Sequence, residues 1–275
     1  MKTILIPTDF SECANNAVIV AFEMAKKAKA TLHFIHFLKT PVEWKKLRKE
    51  QEKNFPETLH EIGKARAALT NLETKAKKLK LKIQTTLVFD NGDISELVNN
   101  YKADFIVVGS HGTQGFKEII GSNAQRIVRY AKSPVLVVKQ EPKNLNFKQL
   151  VFASTFEEDV HQPFLKILAF AALFKAQIHL LYVNMPFQFK ETDEIEAQMQ
   201  QFLKKCPKGT CTINIYNALN EERGIQKFSE KINTDIIALT THGKTGFVKM
   251  IAPSITESLV NHSKSPILSV NINTK

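Results

Sequence analysis

The chain has 275 residues, 43% of them hydrophobic and 24% charged, with a formal net charge of +11, a length that supports two domains with cores of their own. No uninterrupted apolar run approaches the length that crosses a bilayer, and three cysteines (Cys13, Cys206 and Cys211) exclude a disulfide-stapled scaffold. The basic excess lies mostly in residues 1–146, with 24 Lys/Arg against 15 Asp/Glu, but its runs at Lys39–Lys53 and Lys75–Lys82 sit on expected helices between acidic residues and lack interleaved stacking aromatics, which reads as a solvated helix face in preference to a nucleic-acid contact.

In chain order, Thr3–Pro7 predicts a first strand, reached with no hydrophobic leader, and the expected location is the cytoplasm. Ser11 suits the N-cap of a helix running to Ala28. Thr31–Leu38 predicts a second strand, and a long polar helical stretch is expected from Pro41 to Lys80. Lys82–Phe89 alternates as a third strand. A helix over Ile94–Tyr101, a strand over Asp104–Gly109, a helix over Ser122–Ala131 and a strand over Pro134–Lys139 complete the first set. Pro142 and Asn144 mark a linker at Glu141–Phe147. Further strands are expected at Gln149–Ala153, Gln177–Tyr182, Cys211–Tyr216, Asp235–Thr240 and Pro266–Asn271, with a short helix near Asp193–Lys205. Cys206 and Cys211 flank a turn, Pro207-Lys208-Gly209-Thr210, and read as reduced thiols without further metal ligands nearby. Strand–helix alternation of this kind predicts an α/β fold with mainly parallel, doubly wound sheets.

The chain repeats itself. Gly109-Ser110-His111-Gly112 follows an apolar strand, and Thr240-Thr241-His242-Gly243 follows another. Gly112 and Gly243 are 131 positions apart, and Pro134 and Pro266, each preceded by serine, are 132 apart. A duplication at about half the chain length predicts two related domains, 1–140 and 147–275. Asp9 and Thr155 are 146 apart, so the second copy is shorter between those points, and the long helical stretch of the first copy accounts for the difference.

For each copy the expected strand order is 3-2-1-4-5. Ligands of such sheets bind beyond the carboxyl ends of the strands, where the order reverses, between strands one and four. Asp9 ends strand one and Gly109 ends strand four. Glycine at 109 and 112 allows close backbone approach to phosphate, and Gly121, Ser122 and Asn123 open a helix whose free N–H groups favour an anion. The competing reading of the same residues is a tight turn followed by an N-cap.

The start Pro7-Thr8-Asp9-Phe10-Ser11, the glycine loop, the Ser-Pro strands and the duplication together resemble the universal stress protein family in its tandem two-domain form. The nucleotide-binding branch carries Gly-x2-Gly-x9-Gly-Ser/Thr. Gly109 and Gly112 match that pattern and Gly121-Ser122 supply its end, with a spacer of eight residues, one short. The resemblance implies that Asp9 faces ribose or a phosphate-bound Mg²⁺, that Pro7 borders the base, that Phe37 meets adenine through its backbone, and that Thr8 is among the binding residues. It implies ATP or a related adenine nucleotide as the ligand, with or without Mg²⁺, a role in stress response, and two domains forming an intramolecular pseudo-dimer, with homodimerisation as a further family option.

His111 recurs as His242, but neither loop supplies a clear carboxylate beside it to position a general base. No Gly-x4-Gly-Lys-Ser/Thr phosphate loop of the Walker type, arginine finger or nucleophile–base pair is present, so no catalytic residue is expected and hydrolysis is expected to be slow or absent. In the second copy Thr155, Ala153, Thr240 and Pro253 stand where the first has Asp9, Pro7, Gly109 and Gly121. Proline at 253 removes a donor, and loss of nucleotide binding there is expected. Lys244 and Thr245 leave room for a different ligand. The leading reading is a regulatory nucleotide-binding protein. The alternatives are a non-nucleotide interaction protein of the same fold, favoured by the shortened spacer, and a slow nucleotide hydrolase.

Overall fold

A computed structural model describes residues 1–110, 122–140, 144–157, 160–241, 258–259 and 263–272. His111, Gly112 and Gly121 of the first loop, and His242, Gly243, Lys244, Thr245 and Pro253 of the second, lie outside the described residues.

The first unit comprises β1 (Thr3–Pro7), α1 (Glu12–Ala28), β2 (Thr31–Leu38), α2 (Lys49–Glu52), α3 (Pro56–Lys78), β3 (Lys82–Phe89), α4 (Ile94–Leu97), β4 (Phe105–Gly109), α5 (Ser122–Tyr130) and β5 (Val135–Val138). The second contains β6 (Gln149–Ala153), α6 (His161–Phe174), β7 (Gln177–Asn184), α7 (Thr192–Leu203), β8 (Cys211–Asn217), α8 (Glu221–Lys231), β9 (Ile236–Thr241) and β10 (Ile267–Asn271). The continuous stretch expected over Pro41–Lys80 is broken. Pro56 occupies the first turn of α3 and Phe55 caps it at ψ 65°, because proline disfavours helical backbone in the residue before it. Trp44 fills the bend against Phe55 and Phe89, at ring separations of 6.0 and 6.2 Å.

Strand order is β3-β2-β1-β4-β5-β10-β9-β6-β7-β8 in one ten-stranded sheet. Each half has the order 3-2-1-4-5 with parallel neighbours. The halves meet edge to edge through β5 and β10, which pair antiparallel from Ile267↔Val137 to Ser269↔Val135. That single antiparallel contact sends the carboxyl ends of the two halves to opposite edges of the sheet. Helices cover both faces, as a parallel sheet buried on both sides requires. One apolar layer includes residues of α1, α3, α6 and α7 and the other residues of α5 and α8, and both run across the junction. Among the described residues no helix is long and apolar enough to cross a membrane.

The cysteine reading is corrected. Cys206 and Cys211 are joined as a disulfide with Cα atoms 6.1 Å apart. The turn between them brings the two Cα atoms within disulfide reach, since Gly209 takes a φ of +79°, a conformation that glycine adopts without steric cost.

Two histidines couple this fold to acid. His33 Nε2 lies 2.8 Å from Thr86 Oγ1, and His179 donates from Nε2 to Gln149 Oε1 at 2.7 Å. Burial holds both below the ordinary value of 6.5. Between that lowered range and 6.5 the unfolded chain binds protons that the folded chain refuses, so the stabilisation is full above 6.5 and falls with pH through that window. Urea midpoints are expected to be level above neutrality and to decline below 6.5, with a shallower decline in His33→Gln. The Asp93 carboxylate, held low chiefly by hydrogen bonds from Ser95, contributes only to the separate loss of stability below 3.8.

Candidate functional site

The crevice at the end of β1 and β4 is built by how β1 stops. Its ladder with β2 closes at Thr8, whose N–H donates to Ile35 O at 2.9 Å. Phe10 then turns the chain at φ 63°, a conformation uncommon outside glycine, and donates its N–H to Thr8 Oγ1 at 3.1 Å. Ser11 caps α1 by accepting from the Ala14 N–H. Asp9 lies exposed between these residues. Its Oδ1 accepts from the Ser11 N–H at 3.0 Å, which fixes the carboxylate at the rim.

Alternate residues of a strand direct their main-chain groups to the same neighbour. Ile35 bonds toward β1, so Phe37 directs its N–H and C=O to the same side, past the point where β1 has turned away. The Phe37 side chain is half-buried against the core layer that holds Val88 and Val98. On the other flank Ser110 donates to Val138 O at 3.0 Å, so Gly109, one residue earlier, directs its main chain toward β1. Pro7 and Thr8 are buried beneath Asp9. Ser122 opens α5 and Asn123 is exposed in its first turn. The structure thus brings Pro7, Thr8, Asp9, Phe37 and Gly109 to the two flanks of one crevice.

Gly109 has a structural reason beyond ligand access. A Cβ there would lie 2.6 Å from the carbonyl carbon and oxygen of Cys13 and 2.7 Å from the Ala14 nitrogen. The first turn of α1 rests directly on the end of β4, and only glycine admits that approach. Cys13 itself donates its thiol to Lys139 O at 3.4 Å, tying the same turn to the residue after β5.

His36 is a site neighbour that the sequence reading did not single out. A carbonyl oxygen can only accept, so His36 donates from Nδ1 to Thr8 O, at 2.8 Å, and its ring packs on Phe10 at 4.7 Å. The signal was available as a histidine at the carboxyl end of a strand beside the switch point. On the far side of β2, Asn91 stitches the following loops together, accepting from the Thr40 N–H at 3.0 Å and donating to Thr40 O at 2.8 Å. Arg126 of α5 pairs with Asp93 at 2.9 Å, which joins the helix after the phosphate-loop segment to the N-cap of α4.

The second unit repeats the turn and changes the chemistry. Ser154 donates to Leu181 O at 3.2 Å, and Phe156 turns at φ 58° with its N–H on Ser154 Oγ at 3.1 Å. Thr155 occupies the place of Asp9, so the carboxylate that Asp9 holds at the first rim has no counterpart at this position. Tyr182 takes the place of His36 and is buried. Helix α6 begins at His161, three residues later than its counterpart by the spacing of Asp9 and Thr155, and the end of β9 carries Thr240 where β4 carries Gly109. Gly224 of α8 instead packs against Val183, whose Cγ1 would lie 2.4 Å from an added Cβ. The helix-on-strand contacts therefore differ between the two crevices even though the turns match.

Among known proteins, the model of the Universal stress protein family matches residues 1–139 and 215–271. A universal stress protein of Methanocaldococcus jannaschii is 33% identical over 153 residues, which cover 52% of this chain and 84% of that protein. Universal stress protein A homolog 1 of Coxiella burnetii is 30% identical over 139 residues, 50% of this chain and 95% of its own. In three dimensions, the crystal structure of a universal stress protein from Archaeoglobus fulgidus superposes with a TM-score of 0.78 over 98% of both chains at 20% identity; at that identity the likeness concerns the fold.

Proposed function

The chain belongs to the universal stress protein family, and we propose that its first domain, residues 1–140, is a regulatory adenine-nucleotide site, with ATP the leading ligand. The observation that carries the reading is the pairing, across one switch point, of an exposed rim carboxylate at Asp9 with outward main-chain groups at Phe37 and Gly109. A carboxylate accepts from ribose hydroxyls or holds Mg²⁺, strand backbone edges pair with the amide-like edge of adenine, and the start of α5, at Ser122 and Asn123, favours phosphate. Gly112 and Gly121 are assigned to the phosphate loop on their sequence pattern. The donor and acceptor types present therefore suit a nucleotide. The second domain, residues 147–275, has Thr155 in place of Asp9 and acts as the structural partner. The role is in stress response, by binding and not by turnover.

Calorimetry on the full chain with ATP, ADP, AMP and a cyclic nucleotide, each with and without Mg²⁺, tests this. One site per chain is expected for at least one of them. Absence of heat with all of them refutes the reading, and a stoichiometry of two refutes the assignment to one domain. Asp9→Asn keeps an oxygen for the Ser11 N–H and so preserves the turn. It removes the charge from hydrogen bonds that are worth about 1.5–3 kcal/mol each when charged. A loss of roughly tenfold or more in affinity, at an unchanged melting temperature, is expected.

One observation favours a second reading, an interaction protein that binds no nucleotide. The spacer between Gly112 and Gly121 is eight residues, one shorter than the pattern of the nucleotide-binding branch. Mass spectrometry of the supernatant from heat-denatured protein separates the two, since a purified nucleotide carrier releases its ligand.

A further inference from the structure

Far along the sheet from the first crevice, α7 ends at Leu203 and edge strand β8 opens at Cys211. Between them runs Lys204-Lys205-Cys206-Pro207-Lys208-Gly209-Thr210, closed by the Cys206–Cys211 disulfide. Thr210 Oγ1 donates to Pro207 O at 2.8 Å within this ring. Both cysteines are half-buried and Pro207, Lys208 and Gly209 are exposed, so the bond sits at the molecular surface under a small loop. Three lysines lie within two residues of Cys206. Lys205 binds His161 Nδ1 at 2.6 Å, while Lys204 and Lys208 are exposed. Neighbouring ammonium groups favour thiolate, the form that attacks a disulfide.

A cavity of about 450 Å³ adjoins the ring. Pro207 and Thr210 form one wall, Leu168 and Ala171 of α6 its apolar floor, and Lys175 and Gln177 add a cation and an amide. Cation, amide and apolar floor suit a short peptide that carries carboxylates. The disulfide is not needed to dock α7. Phe202 is fully buried and its ring meets Phe156 at 5.1 Å and Phe164 at 5.5 Å.

We propose that Cys206 and Cys211 form a reversible dithiol–disulfide couple that exchanges with a small anionic peptide thiol of the glutathione class, received by the lysines and the adjoining cavity. In the oxidising direction one protein thiolate attacks a sulfur of the external disulfide. A mixed disulfide forms, the external S–S bond breaks, and the departing thiolate takes up the proton the protein thiol released. The second protein thiolate then attacks the protein sulfur of the mixed disulfide, closes Cys206–Cys211 and expels the second peptide thiol. Two electrons pass from the two cysteines to the external disulfide.

The full chain, equilibrated in graded mixtures of reduced and oxidised glutathione, quenched with an alkylating agent and weighed intact, is expected to show one transition from two alkylated thiols to none at these positions. In Lys204→Gln/Lys208→Gln, oxidation by glutathione disulfide is expected to slow roughly tenfold, as loss of electrostatic steering predicts, while oxidation by the cationic disulfide cystamine is not slowed. A pair that stays oxidised, or stays reduced, across the whole glutathione range overturns the proposal, as does equal slowing with both disulfides. Far-ultraviolet circular dichroism of the reduced chain is expected to match the oxidised one; a collapse on reduction makes the bond a structural staple and overturns it too.

Discussion

Phe170→Ala is expected to destabilise the chain by about 3–5 kcal/mol, the range for deleting a fully buried aromatic ring. Phe170 sits on α6 with no exposed surface. Its ring stacks on Phe105 of β4 at 5.7 Å, meets Phe174 of its own helix at 5.1 Å, and lies 6.1 Å from Phe147 at the linker's end. These partners belong to a strand of the first unit, a helix of the second and the connection between them. No single segment can move in to fill the vacated volume, which is what drives the cost toward the upper end of the range. Leu165→Ala, on the same helix but 45% exposed, is the control and is expected to change stability by no more than about 0.5 kcal/mol. Urea denaturation followed by fluorescence and by circular dichroism gives both values. A cost under 1 kcal/mol for Phe170→Ala would refute the packed junction. Coincident transitions in the unmutated chain that separate in Phe170→Ala would show that this ring cluster makes the halves unfold together.

The junction that Phe170 fills also decides what the two crevices can do to each other. Beside the ring cluster, Lys27 of α1 lies over the Phe174 ring at 5.6 Å, and the β5–β10 ladder completes the contact. Because that ladder is antiparallel, one crevice opens on each edge of the sheet. A ligand in the first crevice therefore cannot touch the second directly. Any influence between them must pass through the shared apolar layers.

Much of this was legible in the residues. Short apolar runs bounded by polar turns, with alternation at Lys82–Phe89, marked each strand to within about two residues of its observed ends, because strands of a parallel sheet covered on both faces read as near-continuous apolar runs. The spacing of Gly112 and Gly243 revealed the duplication, the switch-point rule brought Asp9 and Gly109 together, and the family resemblance added Phe37. What was not legible were facts that arise only when distant segments meet. Edge pairing of β5 with β10 leaves no pattern in either strand, since both read simply as apolar. The disulfide depended on how the turn at Gly209 aims two side chains, which spacing alone does not fix. The break at Pro56 was signalled, but the polar run on both sides of it masked the bend that Trp44 fills. Gly109 was assigned to phosphate access from its neighbours in sequence, whereas in space a Cβ at this position would run into the backbone of Cys13 and Ala14.

That last point makes Gly109→Ala the sharpest test of how the first site is built. The added Cβ would stand 2.6 Å from the Cys13 carbonyl group and 2.7 Å from the Ala14 nitrogen, well inside van der Waals contact. Both are main-chain atoms of a capped first turn, held by Ser11 at one end and by the Cys13–Lys139 contact, so neither can rotate away as a side chain could. Helix α1 or the end of β4 must shift, at an expected cost of about 3 kcal/mol, and Gly109→Val should cost more. Trimming the side chain, as in Cys13→Ala, leaves the clashing backbone in place, so the double substitution is expected to be no more stable than Gly109→Ala alone. The displaced turn directly follows Asp9 and supplies the Ser11 N–H that fixes its carboxylate, so nucleotide affinity is expected to fall along with stability. Weakened binding at unchanged stability would instead mean that the glycine serves only the ligand. Rescue by Cys13→Ala would show that the contact is with the side chain, and either result would overturn the helix-on-strand account of this position.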